Sequence, residues 1–287
     1  MVKGLYTAYT GMLNQQNRMD VLTNNLANSA TVGFKKEGAT TQAFDDVLAY
    51  HIKDQSNPTN VRHIGSLSLG AKVGENYTDF TQGAFQTTEN PFDLALSGNG
   101  FFACEYTNKA GVTSVKYTRD GSFILNQSGD LVTKDGDYVL DANGRHIRLN
   151  PQQETVFNEN GTITQNGVTV AALQIADFTD YNYLEHFGES YYQPVEGATR
   201  KQADAKVFSG YLEQSNVTVI NEMVELISVT RNYETNQKVI QTIDGTLDVH
   251  IIAATGNIIL IQISFLDGGY FKRRHLIYCR AASIISK

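Results

Sequence analysis

Apolar side chains along this chain follow two periods, and the change of period divides it. Leu5, Met12, Met19 and Leu26 recur every seven positions, with Ala8, Gln15 and Leu22 three places after the first three. That spacing predicts an amphipathic helix whose seam packs on another helix. Gln15 and the small Ala8 weaken the seam, so this helix is expected to be marginal in water by itself. The period returns near the far end, where Val219, Leu226, Tyr233, Ile240 and Leu247 are seven apart, supported by Met223, Val229 and Ile243. A second helix is therefore expected within 211–248, starting near Ser215 and Asn216, both good caps. Two terminal helices with matching repeats can pair, leaving everything between them as an insertion.

The insertion reads as β. Within "YTRDGSFILNQSGDLVTKDGDYVLDANGRHIRL" the pairs Asp120-Gly121, Ser128-Gly129, Asp135-Gly136 and Asn143-Gly144 fall seven or eight residues apart. Short runs rich in β-branched and aromatic residues stand between them: Ser122 to Leu125, Leu131 to Thr133 and Tyr138 to Leu140. Turns of that chemistry between such runs predict hairpins and meanders, and Asn160-Gly161 and Asn166-Gly167 continue the scheme. The expected class is α+β, with paired, coiled-coil-like terminal helices flanking a mainly antiparallel β domain. Its parts are an N-terminal helix and exit turn over 1–34, an extended connector over 35–69 and a β-rich domain over 70–210. A C-terminal helix over 211–248 and an atypical tail over 249–287 complete it. Asn57-Pro58 is expected to break any regular element in the connector.

One stretch sits awkwardly on its helix. "NNLANSATVGFKK", Asn24 to Lys36, is dense in asparagine, whose side chains compete with the backbone for hydrogen bonds and lower helix propensity. Gly33 then offers a left-handed position, with Phe34 as an apolar anchor just after it. The stretch predicts a helix end that leaves in one defined direction, with spare amides free to bond neighbours.

Composition narrows the function. A net charge of −7 gives no footprint for nucleic acid. Two cysteines, Cys104 and Cys279, make neither a disulfide framework nor a metal cluster. "MVKGLYTAYTGMLNQQ" lacks the apolar core of a secretory signal, which argues against cleaved Sec export. Catalytic or ligand chemistry is hard to find. Gly98-x-Gly100-x-x-Ala103 formally fits a dinucleotide fingerprint, but "FFACEYT" follows it like a strand where a helix is needed. Asp135, Asp137 and Asp141 lack the spacing of a calcium loop and read as turn acids. The six histidines show no zinc-like spacing. Cys104 has no neighbouring base, so it reads as a small buried residue. No enzyme, cofactor, metal or small-molecule substrate is expected.

Several of these stretches resemble one family. "LYTAYTGMLNQQNRMDVLTNNLANSATVGFKK" and "SGYLEQSNVTVINEMVELISVTRNYETNQKVIQTIDGTLD" are similar to the terminal signatures of bacterial flagellar rod and hook proteins. "GAFQTTENPFDLALSGNGFFACEY" and "YTRDGSFILNQSGDLVTKDGDYVLDANG" resemble its middle, and the likeness covers about residues 4–248 in order. The resemblance implies an axial structural subunit of the basal-body rod that self-assembles into a helical tube and transmits torque from motor to hook and filament. It implies partners among copies of itself and other rod and hook proteins. Export would use the flagellar type III apparatus, without a cleaved signal, to an extracytoplasmic basal-body location. Candidate assembly residues are then Leu5, Met12, Met19, Leu22, Asn25, Leu26, Asn28, Phe34, Met223, Leu226, Tyr233, Ile240 and Leu247. The short insertion and "GLYTAYTGM" resemble rod members more than hook members. The alternative of another class is a secreted, β-rich, adhesin-like surface protein that oligomerises through its helices.

The tail departs from everything before it. Beyond Asp248 the charge is +4, leaving −11 for the rest, and the segment resembles nothing in the family. Ile251 to Phe265 is apolar, but its fifteen residues fall short of the ~20 a membrane span needs. A frameshift, a genuine extension with its own partner, and a membrane-associated segment with a basic "KRRH" flank all fit.

Overall fold

A computed structural model describes residues 2–45, 47–51, 62–67, 70–109, 111–188 and 190–266. Among the described residues two α-helices, α1 (Val2–Ala27) and α2 (Val219–Leu266), bracket twenty strands. Every strand ladder among the described residues is antiparallel. The most extensive contact between any two elements is α1 on α2. The helices run antiparallel: a Cβ built on Gly4 lies 3.7 Å from Ile243, one on Gly11 lies 3.2 Å from Asn236, and Arg18 bonds Glu225 at 2.7 Å.

The contact face of α1 is rotated from the expected seam. Gly4, Gly11, Arg18 and Asn25 meet α2, and Ala8 and Leu22 are buried. Leu5, Met12, Met19 and Leu26 are only half-buried. Gly4 and Gly11 take their positions because, lacking a side chain, they leave room for the Ile243 and Asn236 side chains of α2. A second buried side of α1, carrying Thr10, Asn14 and Val21, faces strands Glu37–Ala43 and Ala71–Thr78, with Asn14 Nδ2 donating to Thr41 Oγ1 at 2.8 Å. On α2, Val229 is buried, while Leu226, Tyr233, Ile240, Ile243 and Leu247 are half-buried. Val219 and Met223 are exposed, which places them outside the helix pair.

Three boundaries differ from the sequence expectation. Residues 35–69 are not a plain connector: Glu37–Ala43 pairs with Ala71–Thr78, and Val47–His51 with Arg62–Leu67. Asn57-Pro58 lies outside the described residues. Tyr211–Glu213 is a strand pairing with Phe85–Thr87, and the helix begins only at Val219. Ser215 and Asn216 precede it; the Ser215 hydroxyl accepts from Val217 N, and the Asn216 amide is used elsewhere. The helix then runs on to Leu266, so the first part of the atypical tail continues α2. Residues 267–287, with Cys279, lie outside the described residues. Among the described residues no helix is long and apolar enough to cross a membrane.

The β insertion centres on strand Phe101–Thr107, which bonds Thr113–Thr118, Tyr138–Val139 and Ile175–Phe178 in a nine-stranded sheet. Successive side chains on a strand point to opposite faces. Phe102 and Cys104 therefore enter a core with Leu94, Phe123 and Leu131, while Phe101 and Ala103 enter another with Tyr117, Phe178 and Tyr192. Burial on both faces explains the unbroken apolar run "FFAC". It also pushes the Cys104 thiol far above its usual pKa range, with the charges of Asp137 and Asp120 adding to the effect of burial.

Most expected turns are present. Gly129, Gly136, Gly144 and Gly161 have positive φ, and Asn166 (φ 51°) with Gly167 (φ 81°) joins Thr162–Gln165 to Val168–Ala172 in a two-residue hairpin. Asp120-Gly121 differs: Gly121 packs against Leu94, whose carbonyl leaves no room for a Cβ, and the Asp120 carboxylate accepts from Ser122 N. "SGNGFF" is a corner, since Leu94–Asn99 pairs with Asp204–Ser209 and not with the strand that follows. No helix opens there to receive a pyrophosphate.

Candidate assembly junction

Both helices join the β insertion at one place. The backbone of α1 ends where Asn28 Nδ2 donates to the Asn24 carbonyl at 3.0 Å and Ser29 Oγ to the Leu26 carbonyl at 2.8 Å. Both carbonyls also accept a backbone N–H, from Asn28 and Ser29, so these side chains add a second donor at the helix end. Gly33 then turns the chain with φ +72°, and its N–H donates to the Glu213 carbonyl at 2.8 Å. A Cβ there would lie 2.5 Å from Asp120 N, so Gly33 is required both for its conformation and for its clearance. Phe34 is buried beyond it, edge-on to His186.

Asn25 is fully buried and closes the helix exit like a clasp. Its Oδ1 accepts from Glu37 N at 2.9 Å, and its Nδ2 donates to the Glu37 carbonyl at 2.7 Å and to Glu222 Oε2 at 3.3 Å. Glu222 stands in the first turn of α2, where the helix dipole favours an anion. Lys36 Nζ bonds its other oxygen at 2.5 Å, and that bond raises the pKa of Lys36.

Deeper in, Glu213 gathers three donors while wholly inaccessible to solvent: Lys35 Nζ at 2.5 Å, Arg119 Nη1 at 3.2 Å and Gly83 N at 3.0 Å. Lys35 is equally buried and also donates to the Thr81 carbonyl at 2.8 Å. Burial lowers its pKa, against the opposing pull of Glu213. Arg119 ties the group to the core by donating to the Gly98 carbonyl at 2.8 Å and lying over the Phe101 ring. Asn216 completes the junction: its Oδ1 accepts from Lys36 N at 2.7 Å, and its Nδ2 donates to the Asp79 carbonyl at 2.8 Å.

The sequence-derived residues divide on this geometry. Asn25 and Phe34 belong to the junction, whereas Asn28 is half-buried and bonds only within the helix end, to Asn24 and Thr31. Leu226, Tyr233, Ile240 and Leu247 lie along the helix pair, and Met223 faces outward. Lys35, Lys36, Arg119, Glu213 and Glu222 were not singled out from the sequence. Their partners lie up to 197 residues away, so no local spacing marks them. The remaining signal is their position inside "GFKK", "YTRDG" and "YLEQSN". Among the described residues no cluster of His, Cys, Asp and Glu could hold a metal ion.

The site is thus a structural joint, made of ion pairs and amides that fasten two helices to one domain. Three family descriptions match: "Flagella basal body rod protein" over residues 5–35, "Flagellar hook protein FlgE/F/G D1 domain" over 95–171, and "Flagellar basal body rod FlgEFG protein C-terminal" over 209–252. The chain belongs to the flagellar basal-body rod protein family, which is structural and not enzymatic. It is 33% identical to the flagellar basal-body rod protein FlgF of Rhizobium meliloti, over 90% of this chain and 100% of the relative. It is 32% identical to FlgG of Bacillus subtilis, over 86% of this chain and 97% of the relative. The hook-basal body complex protein FlhO of the same organism is 33% identical over the same shares.

Proposed function

We propose that this chain is a rod subunit that assembles with copies of itself and with other axial rod and hook proteins into a helical tube, carrying torque from motor to hook and filament. The junction is the observation that carries this reading. A domain on a single linker swivels about its backbone bonds. Here two chain crossings are cross-bonded through Asn25, Glu213 and Glu222, so a twist of the helix pair reaches the β insertion. The helices would line the tube with the insertion outside, and the half-buried flank of Leu5, Met12, Met19 and Leu26 would meet neighbouring subunits. Export through the flagellar type III apparatus without a cleaved signal belongs to the same proposal.

A frameshift origin for the tail belongs to the same proposal, with the change of origin falling after residue 252, where the matched family regions end. Intact-mass spectrometry of detergent-purified hook–basal bodies from the native cells tests both points. The chain is expected there, and its mass reports whether residues 249–287 are carried. Its absence from otherwise complete basal bodies would overturn the rod reading and favour a soluble, adhesin-like oligomer.

A further inference from the structure

The helix pair leaves two apolar strips uncovered, at opposite ends. One lies on α1, where Tyr6, Tyr9 and Leu13 are each more than two-fifths exposed. The other lies on α2, where Ile220 is 74% exposed, Val224 63% and Ile227 52%. Residues 4–17 contain no charged side chain; among 219–228 Glu222 is buried, and Glu225, whose side chain is 42% exposed, is paired with Arg18. The α2 strip is continuous with the face already packed on α1: half-buried Leu226 leads through exposed Val219 and Met223 to Ile227, Ile220 and Val224 around the helix. A helix exposing this much aliphatic surface beside an existing helix contact is incomplete.

The spacings match when the two strips run antiparallel. Tyr6, Tyr9 and Leu13 are separated by three and then four residues; Ile227, Val224 and Ile220, read backwards, show the same steps. Laid antiparallel, Tyr6 meets Ile227, Tyr9 meets Val224 and Leu13 meets Ile220, as neighbouring positions on packed helices do. They cannot meet within one chain. The intramolecular pairing sets Gly4 beside Ile243 and Gly11 beside Asn236, about fourteen residues out of that register. At 1.5 Å per residue the offset is ~21 Å along the helix axis.

We propose that the occupant of the α2 strip is the α1 strip of a second copy of this chain, displaced ~21 Å along the shared axis. This rests on the rod reading and specifies its subunit contact. Two different patches joined head to tail close into a ring only when each copy returns to the same height; a ~21 Å axial step per contact prevents that, so the contact propagates along an axis.

Disulfide trapping in a Cys279→Ser background tests the register. The matched pair Leu13→Cys with Ile220→Cys is placed in one chain, the mismatched pair Leu13→Cys with Ile227→Cys in another, and each is oxidised in isolated hook–basal bodies. The expected result is a ladder of this chain's multiples from the matched pair, at least fivefold stronger than from the mismatched pair. Equal ladders, no ladder from a matched pair that is present in basal bodies, or an adduct with a different protein would overturn the contact. Absence of the unsubstituted chain from basal bodies would instead overturn the rod reading beneath it. Circular dichroism of the purified variants, matching the parent, shows that the surface changes leave the fold intact.

Discussion

Glu213→Gln removes the carboxylate that, among the described residues, bonds both Lys35 and Arg119, while keeping the shape of the side chain. All three side chains are almost wholly buried, so two cations are left without a counter-charge. Breaking a buried pair in this way costs ~3–5 kcal/mol. Lys35→Met does the opposite. It removes the surplus cation, leaves Arg119 and Glu213 paired one to one, and the Thr81 carbonyl keeps the Asn216 amide as a donor. Its cost is expected at ~1 kcal/mol or less, since an apolar replacement of similar volume avoids desolvating an ammonium group. Urea unfolding followed by circular dichroism reads both. With a slope of ~2 kcal/mol per M, Glu213→Gln should lower the midpoint by roughly 1.5–2.5 M with the slope unchanged. The double variant should lie above the sum of the two by ~1–3 kcal/mol, because the partners share one network. A midpoint for Glu213→Gln within about 0.3 M of the parent, or Lys35→Met as damaging as Glu213→Gln, would refute this account of the junction.

Gly33→Ala should cost ~2 kcal/mol or more in the same assay, since it adds a strained left-handed residue to a backbone clash. Asn25→Ala should lower stability by ~1–3 kcal/mol, because Glu37 N–H and its carbonyl lose their amide partner, whereas Asn28→Ala should cost under ~1 kcal/mol. If both became Ala without loss of assembly into basal bodies, a role for these amides in building the rod would fall. Burial works against the charge on Asp141, but hydrogen bonds from Ala172, Asn143 and Ala142 outweigh it and hold its pKa below 3.8. Its stabilisation is therefore complete above pH 3.8 and is lost as pH falls through that value toward the folded pKa. Acid titration of Asp141→Asn should show a shallower loss of stability below pH 3.8 than the parent.

The sequence was legible where the signal is local. Gly129, Gly136 and Gly167 mark turns because only a few residue types accept positive φ, so their spacing lays out the hairpins directly. The seven-residue repeats located both helices but misplaced the centre of their contact. Periodicity scores Met12 and Met19 as seam residues; it gives no credit to Gly4 and Gly11, which matter for the volume they lack. Asn25 stands out in the sequence because asparagine is a poor former of helix interiors, and the structure gives it three specific bonds within the chain. Glu213, Lys35 and Arg119 were missed because a buried charge is recognisable only from its partner, and the partners stand 178 and 94 residues away. Strand Glu37–Ala43 was missed because its apolar content is low and its burial comes from α1 above it, not from alternation of its own.

The chain enters the β insertion through Gly33 and leaves it through Glu213, and these two residues share a backbone hydrogen bond. An excursion whose ends touch sets no length on what lies between them. Material can be added to the outer domain, trimmed from it or exchanged wholesale, and the helix pair still sees the same two attachment points. The junction therefore acts as a socket: it fixes where the outer domain attaches and leaves the size of that domain free.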